Sequence, residues 1–223
     1  MLARMRLDRL RRRRPGQLSG GEQRRLAIAR AMVVEPQWLF LDEPLAHLDG
    51  PTRLDLFSLL RDVLADFQPG VLLATHNPSE ALRVANRVVV LLDGRIVQQG
   101  PAEEVYRHPV SLAGARVLGP ADDVAGEALD GVLRRDGLVL LANLPPSLRG
   151  PTRLIVRPEQ LHFLPQPAGQ AKIVRCEFAA GRYSLEVQID HGCLTACSDR
   201  PVAPGTSGQL RLNSPVTEAA ASV

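Results

Sequence analysis

The chain has 223 residues, 45% of them hydrophobic and 23% charged, with a formal net charge of +3. That length suffices for one large domain or two small ones, each with a buried core, and the balance excludes a disordered polymer. Apolar runs such as residues 38–41 and 88–92 are far too short to span a bilayer, which excludes a membrane-embedded bundle.

The amino-terminal stretch MLARMRLDRLRRRRPG has neither the apolar centre nor the small-residue cleavage site of a secretory signal, so the chain is expected to stay in the cytoplasm. Leu2, Met5, Leu7 and Leu10 recur with a loose helical period and predict a helix over residues 2–13, ended by Pro15 and Gly16. Arginines 11–14 could touch phosphates or an acidic partner, but they equally suit the carboxyl end of a solvated helix. The 27 basic residues include a single lysine, Lys172. Such a bias reads as compositional, so the basic balance is not taken as a sign of nucleic-acid binding.

A second helix is expected from the Leu18-Ser19-Gly20-Gly21 element through residues 22–34, with Pro36 as its stop. The apolar run 38–41, closed by Asp42, Glu43 and Pro44, reads as a buried strand. Residues 52–67 carry Leu54, Leu56, Leu59, Leu60, Val63 and Leu64 spaced for one buried stripe, and residues 71–75 form a second buried strand ending at His76. Ser79 can cap the next helix. Alternating strands and helices build crossover units, hence a parallel sheet with helices on both faces and ligands at the carboxyl ends of its strands.

Residues 88–92 and 95–98 flank Asp93-Gly94 and predict a hairpin, followed by short helices at 101–106 and 111–118. Glycine, proline and aspartate then concentrate, placing a linker at 120–130 between a first domain, 1–119, and a second, 131–215. In the second, residues 132–134, 138–141, 153–156, 171–176, 184–189 and 194–196 read as short strands of a small barrel or sandwich, with His191-Gly192 as a turn. Residues 216–223 are expected to be a frayed tail. Cys176, Cys193 and Cys197 are too few and too isolated for a disulfide framework, and the neighbourhood lacks further zinc ligands.

Three elements carry chemistry. Ser19 can cap its helix while Gly20 and Gly21 let backbone N–H groups approach an anion, although capped helix starts of this kind are common without any ligand. Asp42 and Glu43 follow an apolar strand, where one carboxylate can hold magnesium through water and its neighbour can orient an attacking water; two acids can also simply begin a loop. His76 sits where a histidine could reach a phosphate from the same sheet edge. Their order along the chain, with Leu48-Asp49 between them, gives them joint weight.

In that order the stretches resemble a known family. LSGGEQRRLAIARAM is similar to the signature helix of ABC ATPases, WLFLDEP to the Walker B strand with its glutamate, AHLD to the D-loop and LLATH to the switch-histidine segment. The resemblance implies that Ser19, Gly20, Gly21 and Gln23 face the γ-phosphate region of ATP held by an opposite subunit. It further implies that Asp42 supports Mg2+, Glu43 polarises the attacking water, His76 contacts the γ-phosphate and Asp49 lies across the dimer seam.

DGRIVQQGPAEEVYRHP then resembles the stretch that closes the nucleotide-binding domain in the importer branch, and LIVRPE, residues 154–159, an element of its carboxyl-terminal TOBE domain. The implied fold is α/β, the rear part of a P-loop NTPase-type parallel sheet with helices, followed by a small all-β, OB-like domain. The implied partners are a second ATP-binding subunit in a homodimer, permease subunits and, indirectly, a solute-binding protein, with no nucleic acid. The implied place is peripheral, on the cytoplasmic face of the inner membrane, in systems importing maltose, polyamines, sulfate, molybdate or ferric iron.

Two departures stand out. A P-loop needs G-x-x-x-x-G-K-S/T, and Lys172 stands in Ala-Lys-Ile-Val with no such glycines ahead of it, so this sequence carries none and lacks the Q-loop too. We therefore expect a truncated product or a mis-assigned start, and no hydrolysis by the isolated chain. Asn77 stands where many relatives have aspartate, and His47 occupies a D-loop position that is usually small. The competing readings are an inactive fragment serving as a regulatory or interaction module, and a soluble ABC protein acting on ribosomes or DNA, against which the β-rich second half speaks.

Overall fold

A computed structural model describes residues 1–67, 70–190, 192–213 and 217–218, which form two compact units, Met1–Val84 and Ala85–Val223. In the first, the helix expected over residues 2–13 is replaced by a single turn and a short 3-10 helix, Asp8–Leu10. Arg6 adopts a left-handed φ of 54°, its N–H bonds the carbonyl of Ala3, and the N–H of Leu7 bonds that of Leu2, the pairing that closes a helix end. The reason is burial: Met5 and Leu7 are both inside the core, and positions two apart cannot share one face of a continuous helix.

Helix α1 (Gly20–Met32) leads to β1 (Trp38–Asp42), α2 (Gly50–Phe67), β2 (Gly70–Ala74) and α3 (Pro78–Val84). The two strands pair in parallel, Phe40 opposite Leu72 and Asp42 opposite Ala74, as a crossover through α2 requires. Ile28, Ala29 and Met32 of α1 and Leu56, Leu59, Leu60 and Val63 of α2 form the core beneath Leu39. Helices on both faces and fully buried strands were expected. Among the described residues the other face, with Trp38, Phe40 and Leu72, is exposed, so apolar runs alone did not reveal which side is covered. Gly70 belongs to this face for a steric reason, since a Cβ there would lie 2.6 Å from the Trp38 ring that crosses the strand.

In the second unit β3 (Arg87–Leu92) and β4 (Arg95–Pro101) form the expected hairpin, with Asp93 and Gly94 both at positive φ. Helices α4 (Ala102–Arg107) and α5 (Leu112–Val117) follow. The remaining strands are β5 (Asp122–Leu129), β6 (Val132–Arg135), β7 (Leu138–Ala142), β8 (Gly150–Val156), β9 (Leu161–Pro165), β10 (Ala171–Ala179), β11 (Arg182–Ile189), β12 (Gly192–Ser198), β13 (Ser207–Leu212) and β14 (Thr217–Glu218). They join in the order β12-β11-β10-β13-β7-β6-β5-β8-β14, with β9 on β13, all antiparallel except β13 with β7.

Two expectations are corrected by the strands. The segment 120–130, read as a linker, contains β5, which pairs with both β6 and β8; its aspartates and Gly126 disguise it, although Gly126 is needed because a Cβ would lie 2.4 Å from the Arg134 carbonyl oxygen. The compact units part between Val84 and Ala85, within the stretch 1–119 read as the first domain. Thr217 and Glu218, placed in the frayed tail, extend the sheet beside β8. The His191 turn and residues 216 and 219–223 of the tail lie outside the described residues.

Residues 85–119 are joined to the β-rich part by the packing of Ala115 with Ala121 and Ile155 and by Arg157. Its buried guanidinium donates to the carbonyls of Tyr106 (3.1 Å), Pro120 (3.2 Å) and Ala115 (3.2 Å) and lies 3.9 Å from the centre of the Tyr106 ring. The Tyr106 hydroxyl in turn donates to Glu159 at 2.6 Å. No helix among the described residues is long and apolar enough to cross a membrane.

Candidate functional site

Ser19 is the N-cap of α1, and with Glu22 it closes a capping box: Ser19 Oγ accepts from the Glu22 N–H at 3.3 Å, and Glu22 Oε2 accepts from the Ser19 N–H at 2.7 Å. That backbone donor, first among several influences, holds the Glu22 carboxyl below its usual range. The two glycines differ. Gly20 is open, with nothing within 4 Å of an added Cβ, whereas Gly21 is buried and a Cβ there would lie 2.6 Å from Thr52 Cγ2. Gly20 thus leaves room for a ligand, and Gly21 lets α1 approach the start of α2. Gln23 is exposed and folds back on the preceding loop, its Nε2 donating to the carbonyls of Leu18 (3.0 Å) and Pro15 (3.3 Å), so it shapes the loop that presents Ser19.

At the end of β1, Glu43 takes a left-handed φ of 43°, a conformation costing a non-glycine residue about 1–2 kcal/mol. The turn is fixed by its N–H on the carbonyl of Ala74, and it swings the carboxylate across the strand pair to His76. Glu43 Oε1 accepts from the His76 N–H at 2.9 Å and lies 2.7 Å from Nδ1 of the ring. That ring contact is the largest cause holding the Glu43 carboxyl below its usual range. The His76 side chain is 80% exposed, leaving its other ring nitrogen free to meet a ligand from solution. A carboxylate at one strand end and an imidazole at the next can together orient a water and a phosphoryl oxygen.

Asp49 caps α2, its Oδ2 accepting from the Thr52 N–H at 3.1 Å, and bonding to Thr52 lowers the Asp49 carboxyl. His47, also at positive φ, precedes it. Among the described residues no hydrogen bond joins the Ser19–Gln23 turn to the Glu43–His76 pair.

Sequence reasoning missed the residues that hold the His76 turn. Helix α3 is capped by Asn77, whose Oδ1 accepts from the Ser79 N–H at 3.0 Å; Ser79, expected to be the cap, lies inside the helix. The signal was available in Asn77 followed by a proline at the first helical position and Glu80 three residues on. Glu80 is buried, and its carboxylate accepts from Thr75 Oγ1 at 2.8 Å and Asn77 Nδ2 at 3.1 Å. An aspartate at position 77 could not make that second donation.

For magnesium the fit is partial and chemically coherent. Among the described residues no group of three His, Cys, Asp or Glu side chains could hold a metal alone, but Asp42 presents an exposed carboxylate beside Glu43. Mg2+ commonly takes one or two carboxylates together with substrate phosphates, so Asp42 suits an ion that arrives with a nucleotide.

Comparison with known proteins bears directly on this arrangement. The ABC transporter family model matches residues 1–46, the stretch with the Ser19 turn and the Asp42-Glu43 pair. The Fe(3+) ions import ATP-binding protein FbpC 1 of Rhodococcus jostii is 37% identical over 179 residues, covering 80% of this chain and 51% of its own. The molybdate/tungstate import ATP-binding protein WtpC of Thermococcus kodakarensis is 41% identical over 161 residues, 72% of this chain and 48% of its own. The chain is thus similar to ATP-binding proteins of iron and molybdate/tungstate import. It spans about half the length of the curated relatives it matches. Among solved structures, an ATP-binding cassette of an ABC transporter superposes with a TM-score of 0.43 over 47% of this chain and 42% of that one, at 26% identity.

Proposed function

We propose that these residues are the rear part of an ABC importer's ATP-binding subunit, in which ATP hydrolysis at a two-subunit interface energises solute uptake through permease subunits served by a solute-binding protein. The observation that carries the reading is the Glu43–His76 pair at the ends of parallel strands β1 and β2. Glu43, with its carboxyl held ionised by His76, would accept a hydrogen bond from the attacking water, and the free face of His76 would contact the γ-phosphate. Asp42 would hold Mg2+ through water, the ion supplying charge neutralisation to the phosphates when bound. Ser19, Gly20, Gly21 and Gln23 would present the α1 amino terminus to ATP on a second copy, with Asp49 at the seam.

Residues 1–119 would belong to the nucleotide-binding domain and 131–215 to a TOBE-type domain, at the cytoplasmic face of the inner membrane. Lys172, the single lysine, lies in β10, so the phosphate cradle has to be supplied by residues other than these 223.

The reading is tested by phosphate release. The purified chain alone should hydrolyse no ATP. Mixed with an ATPase segment that supplies a P-loop, it should turn ATP over, and Glu43→Gln should lower kcat by about 100-fold or more while ATP still binds. A stable complex without hydrolysis would leave the chain as an interaction module, and undiminished turnover in Glu43→Gln would remove Glu43 from the chemistry.

A further inference from the structure

Two loops of the first unit carry residues with proposed roles, the one holding Asp49 and the one holding His76. Between them lie two side chains that neither role accounts for, Arg53 in the first turn of α2 and Glu80 in α3. Glu80 is the one buried acid among the described residues, 7% exposed. Its carboxylate takes hydrogen bonds from Thr75 Oγ1 and Asn77 Nδ2, the residues on either side of His76. Thr75 Oγ1 also accepts from the Asn77 N–H at 3.0 Å, so the turn carrying His76 is tied at both ends to Glu80. Asn77 Oδ1 is held by the Ser79 N–H, which fixes the amide with its NH2 group toward Glu80.

From the other side comes Arg53. Its Nη2 donates to the carbonyl of Leu48 at 2.9 Å, the peptide group that precedes Asp49. Its Nε faces Glu80 Oε1 at 3.9 Å, close enough for ionic attraction and about an ångström too far for a hydrogen bond. That Nε is buried and has no hydrogen-bond partner. A buried donor left short of a buried carboxylate marks a contact that a small shift of either loop would close.

We propose that Arg53 and Glu80 are positioning residues that bridge the Leu48-Asp49 loop to the Thr75-His76-Asn77 turn, so that the seam-facing aspartate and the phosphate-facing histidine shift as one. The bridge rests on the function proposed above for what the two loops do, but not for its existence. A displacement of Asp49 by a second subunit carries the Leu48 carbonyl with it and draws Arg53 toward or away from Glu80. Glu80 passes the movement to Thr75 and Asn77, and thence to His76, whose N–H and ring engage Glu43.

The test is amide hydrogen exchange read by NMR on the full 223-residue chain, for wild type, Arg53→Met, Glu80→Gln and the double variant. Arg53→Met should speed exchange at the Asn77 and Ser79 amides, across the bridge from the substitution, by about five- to tenfold as Glu80 loses its charged neighbour. Glu80→Gln should shift the Asp49 and Thr52 amide resonances, and the double variant should do no more than the larger single effect. Amides of α1 should stay unchanged throughout, which a general loosening of the core would not allow. If a variant disturbs α1 as well, Arg53→Lys and Thr75→Val replace it, each removing one link with little change of volume. Effects confined to the substituted loop, or strictly additive ones, would overturn the bridge. Because no nucleotide is present, a failure of ATP hydrolysis in the reconstituted complex would remove the catalytic meaning of the loops and leave this result standing.

Discussion

The two compact units support their sheets in opposite ways. In Ala85–Val223 the strands from β5 onward pair in one long sheet, and residues such as Leu133, Leu141, Leu154 and Leu185 pack into a shared core with no exposure at all. In Met1–Val84 two parallel strands rest on α1 and α2, while the opposite face shows Trp38 at 62%, Phe40 at 70% and Leu72 at 54% exposure. The second unit is not free of the pattern, since its β3–β4 hairpin exposes Val89, Leu91 and Ile96. Bare apolar faces therefore follow two-stranded sheets. Parallel sheets normally have both faces covered, so the strands that end in Asp42, Glu43 and His76 are the less self-sufficient part of the molecule.

The largest test of this contrast is Leu185→Ala in β11. A fully buried leucine lost from that core should cost about 2–5 kcal/mol. Denaturation followed by amide exchange should show the loss across residues 85–213, with α1 and α2 unaffected; a parallel loss in the first unit would mean that the two fold as one. Next comes Arg157→Met, which strips three carbonyls of their donor and should cost about 2–3 kcal/mol, with faster tryptic cleavage at Arg107 and Arg116.

The same cluster gives a pH dependence. Burial and then the bond to Glu159 push the Tyr106 phenol up to about 12 from its ordinary 10.0. A raised phenol favours the folded state fully below the ordinary value, and the benefit is lost as pH climbs from there through about 12. Absorbance titration of Tyr106 should show this late ionisation in wild type and an earlier one in Glu159→Gln.

These residues also show how much could be read before the structure. The crossover of β1, α2 and β2 was legible, because apolar runs, a leucine stripe and proline breaks act locally, and so was the Asp93-Gly94 hairpin. Strand β5 was not, because Asp122, Asp123 and Gly126 oppose a strand by propensity and only pairing with β6 and β8 forces it. The site residues were legible as types in sequence order, through resemblance. Their geometry was not: nothing local indicates that Glu43 turns left-handed to reach His76, or that Gln23 folds back on the Pro15–Leu18 loop. Asn77 and Glu80 were legible as a local helix start and were passed over, whereas the approach of Arg53 to Glu80 joins separate loops, which spacing does not encode.

Gly20 and Gly21 sharpen the first unit from within. A methyl group at Gly21 would press on Thr52, so Gly21→Ala should cost about 1–3 kcal/mol by overpacking. Gly20→Ala meets open space and should leave stability nearly unchanged while weakening whatever approaches the α1 amino terminus in the reconstituted complex. Equal stability losses at both positions would assign the pair to packing alone.

The smallest expected effect bears most directly on the open face. Leu72 lies opposite Phe40 with more than half of its surface exposed, and threonine suits a strand there equally well by propensity. If the face meets water, Leu72→Thr removes almost no buried surface and should change unfolding free energy by no more than about 0.5 kcal/mol, with a gain in solubility. A loss of about 2 kcal/mol or more would show that Leu72 is buried in solution by another layer. In that case the first unit would be as fully cored as the second, and the strand ends at Glu43 and His76 would be held by packing from both sides.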